Sequence, residues 1–155
     1  MIGQNAHGNE PSHHAAWLYA FTASPWKGHA LVDRIARSFY KDSPHGLIGN
    51  DDCGQMSAWL IFATLGFYPV TAGQGNYMTG LPLVKKARIQ LATGTLTILA
   101  KTPATFKRQL AHQVALKMDG NLVESQKPLA HEALLKASAD GLRLNILQVL
   151  QHDSY

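Results

Sequence analysis

The sequence predicts an α+β fold, with helices in the first half and a small antiparallel β unit in the second. Apolar residues recur at helical spacing before Pro69, whereas later segments such as ARIQLA and TLTILAK alternate or run apolar over strand lengths. The glycine-rich stretch TAGQGNYMTGLP joins the two halves. We therefore expect a helical segment over residues 1–68 and a β-rich segment over residues 69–155.

The first two predicted helices each begin at a proline, which the first helical turn tolerates. After Pro11, the run AAWLYAF leaves almost no polar face, so this helix is expected to be buried on all sides. Ser24 and Pro25 then predict the start of an amphipathic helix, in which Leu31, Ile35 and Phe39 fall four residues apart.

A third helix is predicted directly after the sequence GNDDC. Asp52 stands as a candidate N-cap with Gln55 three residues later, which is a capping-box arrangement. The helix repeats apolar residues at helical spacing, and Gly66 is expected to end it. The cap explains one aspartate and leaves Asp51 without a role.

In the second half, strands are predicted in ARIQLA, TLTILAK, QVALKMDGNLVE and GLRLNILQV, with a short helical turn in HEALLKA. Thr93-Gly94 and Asp119-Gly120 are the expected turns.

Composition excludes several classes of protein. No stretch approaches the ~20 apolar residues of a membrane span, and the N-terminus has no signal-peptide pattern. A single cysteine, Cys53, excludes an internal disulfide and a multi-cysteine zinc site.

The net charge of +4 is uneven along the 155 residues, with four Lys/Arg and five Asp/Glu up to Tyr68, then ten and five. The basic residues of the second half are dispersed among apolar positions and not clustered with aromatic residues. This pattern favours a solvated basic face over a nucleic-acid surface.

Polar side chains concentrate in two blocks, GQNAHGNEPSHH and GNDDCGQ, each at a loop-to-helix junction. Helix N-termini attract carboxylates, so two junctions that face each other would bring glutamate, aspartate and amide oxygens together. Oxygen ligands of this kind suit calcium. An EF-hand is excluded because its twelfth position would be Ile61, and the N-terminal histidines lack zinc-site spacing.

The order and spacing of several segments resemble the C-terminal part of glycoside hydrolase family 92, the calcium-dependent exo-α-mannosidases. These segments are AHGNEPSHH, PWK, GNDDCGQMSAW, LGFYPV and GNYMTGLPLVKKARIQL, and the resemblance weakens after Lys101. It implies the last helices of an (α/α)6 barrel followed by the β unit. It also implies that an N-terminal β-sandwich and the remaining barrel helices are partners missing from this chain.

The activity that the resemblance implies is inverting release of mannose from α-mannoside glycans, with an α-1,2-type preference and calcium as the cofactor. A secreted or periplasmic location is implied for a full-length protein. Inversion needs a general acid and a general base roughly 6.5–9.5 Å apart, and the family's acid-bearing glutamate is implied to lie upstream of this segment.

Site residues follow from the matching blocks. The catalytic candidates are Asp52, as the general base, and Asp51. The substrate-binding candidates are His7, Glu10 and Trp26, and the metal ligands are Glu10, Asn9 and Asn50.

Structural alternatives stand beside these roles. Asp52 could serve only as a helix cap, and Glu10 only as a carboxylate at a helix terminus. His13, His14, Trp17 and Trp59 are expected to pack in the structure instead of binding a ligand. A non-catalytic carbohydrate- or calcium-binding remnant is the alternative function.

Overall fold

A computed structural model describes residues 3–101, 113–118, 121–123, 128–141 and 143–149. The described helices are α1 (Pro25–Phe39), α2 (Gln55–Leu65) and α3 (His131–Ala139), together with short 3-10 helices at Glu10–Ser12, Ala15–Phe21 and Asp52–Gly54. The described strands are β1 (Phe67–Tyr68), β2 (Asn76–Thr79), β3 (Lys86–Leu91), β4 (Gly94–Lys101), β5 (Gln113–Met118), β6 (Asn121–Val123), β7 (Leu129–Ala130) and β8 (Arg143–Val149).

The predicted helices-then-strands order is confirmed. A three-stranded antiparallel sheet has the order β1-β2-β7, and a five-stranded sheet has the order β3-β4-β8-β5-β6. Within the larger sheet β4 and β8 run parallel, while the other pairs are antiparallel, so this sheet is mixed. The predicted turn at Asp119-Gly120 lies outside the described residues.

The segment after Pro11 differs from the buried α-helix that was expected. It forms 3-10 helices, in which residues three apart share a face because there are about three residues per turn. Ala16 and Trp17 are buried, but Leu18 and Phe21 stand three apart and are 44% and 59% exposed. Apolar composition predicted burial without revealing the tighter helical period, so the expectation of burial on all sides was wrong.

The other two predicted helices form. Helix α1 begins at Pro25 and buries Ile35, with Leu31 and Phe39 half-buried beside it. Helix α2 ends where Gly66 adopts a left-handed conformation (φ 85°) and donates its N–H to the carbonyls of Phe62 and Ala63. A side chain at Gly66 would also meet Pro82 at 2.7 Å, so two constraints require glycine there.

Two apolar clusters hold the structure together. One joins the helical segment through Trp17, Ile35, Tyr40, Met56 and Trp59. The other lies between the strands and α3 and includes Phe67, Leu81, Leu96, Ile98, Leu129, Leu134, Ala137 and Ile146. Phe62 of α2 packs against both clusters, and it thereby ties the helices to the β unit. The domain boundary after Tyr68 stays a prediction. In the described part of the chain, no helix is long and apolar enough to cross a membrane.

Candidate functional site

The two polar blocks that the sequence singled out meet through their backbones. A Cβ added to Gly49 would lie 2.5 Å from the carbonyl oxygen of Gly8, and one on Gly8 would lie 3.2 Å from the oxygen of Ile48. The contact at Gly49 leaves no room for a side chain and explains glycine there, whereas the contact at Gly8 is tight but less severe. Asn9 and Asn50 each follow one glycine of this contact, so the two amides lie on adjoining loops.

A second set of contacts fixes the same two segments through His13. Its Nε2 lies 3.0 Å from the carbonyl oxygen of His7, and since a carbonyl can only accept, Nε2 carries the proton. Its Nδ1 then accepts from the Gln55 amide at 3.3 Å, and its own carbonyl accepts from the Trp59 indole N–H at 3.0 Å. His13 is buried, in agreement with the packing role that was expected.

His7 lies in the interior, although it was a candidate for sugar binding. Only 1% of the His7 surface is exposed. Its ring stacks on the His13 ring at a centroid distance of 4.6 Å and lies edge-on to the Trp59 ring at a centroid distance of 4.4 Å. Nε2 lies 2.8 Å from the hydroxyl of Tyr40, which donates to the Met56 carbonyl at 3.1 Å. A ring enclosed in this way cannot touch a sugar, so the prediction of a substrate contact at His7 was wrong. The structure gives it a packing and hydrogen-bonding role.

The environment of His7 lowers the pKa of its imidazole to about 4, first because burial removes solvation of the charged ring and second because His13 lies alongside. Burial likewise raises the pKa of the Tyr40 hydroxyl, and the neighbouring Tyr68 and Asp51 add to the effect. His7 therefore stays neutral over the range in which an exposed histidine titrates.

The structure assigns the two adjacent aspartates different positions. Asp51 Oδ1 accepts the backbone N–H of Ser57 at 3.0 Å and Oδ2 accepts its hydroxyl at 2.6 Å, and these bonds lower the pKa of the carboxyl. Ser57 is in the first turn of α2, so Asp51 satisfies a donor at the helix terminus. The predicted capping box of Asp52 and Gln55 was therefore wrong.

Asp52 does not cap α2 because the backbone changes direction between Asp52 and the start of that helix. Cys53 (φ 52°) and Gly54 (φ 75°) both adopt left-handed conformations, so α2 begins only at Gln55 and Asp52 lies in a separate 3-10 turn. The Asp52 side chain is exposed. Among the residues that the structure describes, none forms a hydrogen bond with its carboxylate.

Glu10 begins the first 3-10 turn, and its side chain is partly buried. Its Oε1 is a buried oxygen without a hydrogen-bond partner in the described part of the chain, and the same holds for Oδ1 of Asn5 in the same block. Buried oxygens normally have a partner, and unsatisfied acceptors are suited to a cation or a ligand hydroxyl. Asn5 belongs to the polar block GQNAHGNEPSHH, and neither its spacing nor its neighbours in sequence distinguish it from the other polar residues there.

Trp26 lies in the first turn of α1 and is half-buried, whereas Trp17 and Trp59 are core residues, as expected. A sugar contact at Trp26 stays a prediction. The described residues contain no group of three His, Cys, Asp or Glu that could hold a metal. The candidate calcium ligands are one carboxylate (Glu10) and two amides (Asn9 and Asn50), so they would not form a group of three His, Cys, Asp or Glu.

Comparison with known proteins identifies the family of this chain. Residues 1–145 match the model of the glycosyl hydrolase family 92 catalytic domain. The chain belongs to glycoside hydrolase family 92.

Solved structures of family 92 share the fold. A family 92 α-mannosidase from Bacteroides thetaiotaomicron is 32% identical with a TM-score of 0.77, covering 95% of this chain and 19% of that one. An inverting family 92 mannosidase from the same organism is 30% identical with a TM-score of 0.74, covering 94% of this chain and 19% of its own. The expected α+β fold class, with helices from the family's catalytic domain, is thereby confirmed.

A protein of Arthroderma benhamiae described as an uncharacterized secreted glycosidase is 32% identical over 83 residues, which are 54% of this chain and 11% of that protein. This chain therefore spans about a fifth or less of the length of these relatives. The candidate site therefore consists of the two polar blocks GQNAHGNEPSHH and GNDDCGQ, which lie within the matched residues.

Proposed function

We propose that this chain is the C-terminal portion of an inverting, calcium-dependent α-mannosidase that hydrolyses terminal α-mannosides of glycans, with a preference for α-1,2 linkages. The observation that carries the proposal is the contact between the two polar blocks at Gly8 and Gly49. It brings Glu10, Asn9 and Asn50 onto segments adjoining the two aspartates. Two solved family relatives are described as mannosidases, one of them as inverting.

In this proposal Asp52 is the general base that takes a proton from the attacking water. Its exposed carboxylate supports the role, because Asp51 already accepts two hydrogen bonds from Ser57 and holds the start of α2. The general acid belongs to a part of the family's catalytic domain that lies before these blocks. Asp51 positions the turn that presents Asp52, and Trp26 offers an apolar surface to the sugar.

The role of Asp52 can be tested in an enzyme that contains this segment with the rest of the catalytic domain. Asp52→Asn keeps the shape of the side chain and removes the base, so we expect turnover to fall by ~10² or more. Asp42→Asn, an exposed aspartate outside both blocks, is the matched control. Turnover within a few-fold of the unmodified enzyme for Asp52→Asn would contradict the assignment.

Calcium is the proposed cofactor because the candidate ligands are oxygens. Glu10 would supply a carboxylate, Asn9 and Asn50 would supply amide oxygens, and main-chain carbonyls, water and sugar hydroxyls would complete the six to eight oxygens that calcium takes. The buried, unpartnered Oε1 of Glu10 fits this purpose. Bound calcium would coordinate sugar hydroxyls and orient the sugar ring.

Calcium binding by this chain can be measured by titration calorimetry without any assay of activity. Glu10→Gln removes the one carboxylate of the set, and we expect it to weaken calcium binding by about tenfold or more because calcium affinity depends on the charge of its ligands. Glu132→Gln, an exposed glutamate on α3, serves as the control. Zinc binding more tightly than calcium, or equal calcium binding by both variants, would refute the ligand set.

A non-catalytic carbohydrate- or calcium-binding remnant is the second candidate function. The buried, unpartnered Oε1 of Glu10 is compatible with it, since cation binding needs oxygen ligands and no general base. The two functions are separated in an enzyme that contains this segment with the rest of the catalytic domain: the catalytic proposal requires turnover that depends on Asp52, and the remnant does not. For a protein of full family length we propose a secreted or periplasmic location, in line with the relative described as secreted.

A further inference from the structure

One face of the five-stranded sheet forms a cationic cavity far along the chain from the candidate site. The cavity has a volume of about 770 Å³ and is lined by Lys86, Arg88, Gln90, Thr95, Thr97, Leu99, Gly141 and Arg143. Its volume lies within the range of ~300–1,000 Å³ that is typical of ligand sites. These described lining residues include three cations and no carboxylate.

Strand alternation explains why the cations share this face. In β3 the side chains of Lys86, Arg88 and Gln90 are exposed, while the residues between them pack towards the apolar cluster of the β unit. In β4, Leu96 and Ile98 are buried on that inner side, so Thr95 and Thr97 point to the same side as the β3 cations.

The register aligns two arginines across one threonine. Arg88 of β3 is paired with Thr97 of β4, and Thr97 is paired with Arg143 of β8. Directly paired residues project from the same face of a sheet, and neighbouring strands lie about 4.8 Å apart. The two guanidinium groups therefore extend from backbone positions roughly 10 Å apart, with a hydroxyl between them. One row below, Thr95 donates to Gln90 Oε1 at 2.7 Å, which fixes the orientation of that amide.

We propose that this face binds the oxyanion substituents of an anionic polysaccharide. Arginine recognises sulfate, phosphate and carboxylate groups through paired N–H donors, and the threonine hydroxyls and the glutamine amide suit sugar hydroxyls. The described lining places these neutral hydrogen-bonding groups between the cations, which suits a ligand that carries hydroxyls as well as anions, and duplex DNA is the competing polyanion in the test. The proposal is independent of catalysis at Asp52.

The test measures binding of the 155-residue chain to heparin, polygalacturonate, uncharged mannan and a DNA duplex at low and high ionic strength. We expect salt-sensitive binding to heparin, polygalacturonate or both, with weaker binding to mannan and DNA. The first two arms distinguish sulfate from carboxylate as the substituent that is recognised. No binding to either polyanion, or DNA binding as tight as the best polysaccharide, would overturn the proposal.

Variants locate the binding on this face. Arg88→Gln/Arg143→Gln is expected to weaken polyanion binding by about tenfold or more, since each arginine contributes charge-assisted hydrogen bonds. Lys27→Gln/Arg34→Gln removes the same charge from exposed positions of α1 and is expected to bind as the unmodified chain does. Equal weakening by both pairs would show an effect of net charge alone and would refute the proposal.

A charge-conserving variant covers the case in which the double variant fails to fold. Arg88→Lys keeps the positive charge but loses the paired donor geometry, and Lys27→Arg is the converse change outside the cavity. We expect Arg88→Lys alone to weaken binding several-fold at unchanged circular dichroism. Unchanged binding by Arg88→Lys would remove the arginine-specific recognition that the proposal requires.

Discussion

The His7 imidazole links the packing of the helical segment to pH. Its pKa in the folded chain is about 4, compared with 6.5 for an exposed histidine. Between these two values the unfolded chain binds a proton at His7 that the folded chain does not bind. The stability that depends on neutral His7 is therefore complete above pH 6.5 and is lost as the pH falls towards 4.

We expect this residue to lower the free energy of unfolding by about 2 kcal/mol between pH 7 and pH 5. Urea unfolding at both pH values measures the change. His7→Gln removes the titrating ring, so its stability should be lower at pH 7 and should depend less on pH. His45→Gln, at an exposed loop position, should keep the full pH dependence. An unchanged pH dependence in His7→Gln would show that another group is responsible.

Some residues of the candidate site could be predicted from the sequence, and others could not. Oxygen-rich side chains at two loop-to-helix junctions indicated which segments would form one site if the junctions faced each other, and Gly8 and Gly49 do meet. The hydrogen bond between His7 and Tyr40 joins residues 33 apart in sequence. No periodicity or local motif encodes a partner at that distance, so the burial of His7 could not be predicted.

At the scale of elements, the sequence predicted a helix end correctly where a proline or glycine marks it. Pro25 and Gly66 are the actual limits of α1 and α2. The start of α2 moved from Asp52 to Gln55 because Cys53 takes a left-handed conformation that is uncommon outside glycine. The parallel pairing of β4 with β8 joins strands far apart in sequence, and alternation within a strand cannot name its neighbour.

The loop contact that builds the candidate site makes a prediction about Gly49. Gly49→Ala places a methyl group 2.5 Å from the Gly8 carbonyl oxygen. The oxygen is a backbone atom and the methyl carbon is attached directly to the backbone, so neither can move aside by a side-chain rotation. We expect a loss of about 1–3 kcal/mol of stability, measured by urea unfolding. Gly8→Ala is the graded control, because its nearest contact is 3.2 Å and should cost less. An equal cost for the two variants would contradict the close approach as the cause.

At the scale of the whole molecule, several large apolar side chains of the helical segment face solvent. Leu18 and Phe21 lie on the 3-10 segment, and Ile61 on α2 is 60% exposed. Exposed apolar surface of this kind promotes association. We expect the purified chain to self-associate as its concentration rises, as measured by light scattering, and Phe21→Ser/Ile61→Ser to reduce this. Association that both substitutions leave unchanged would place the contact on another surface.

The whole-molecule proposal also predicts that these 155 residues alone do not hydrolyse α-mannosides. Inverting hydrolysis needs an acid on the leaving oxygen and a base on the water, on opposite faces of the sugar. Asp52 is the proposed base, and Glu10 is assigned to the cation, on a segment that adjoins the aspartates. The remaining carboxylate of the two blocks, Asp51, adjoins the proposed base and already accepts two hydrogen bonds from Ser57, so neither block supplies an acid for the opposite face.

The measurement is mannose release from an α-mannobiose and from an activated aryl α-mannoside by the purified chain with calcium. We expect no release above that of Asp52→Asn, which controls for contaminating glycosidase. Release that Glu10→Gln abolishes would overturn the assignment, since Glu10 would then be the general acid and the chain a complete catalytic unit. Calcium binding without release is the expected result, because binding needs only the oxygens that these two blocks supply, whereas hydrolysis also needs an acid on the opposite face of the sugar.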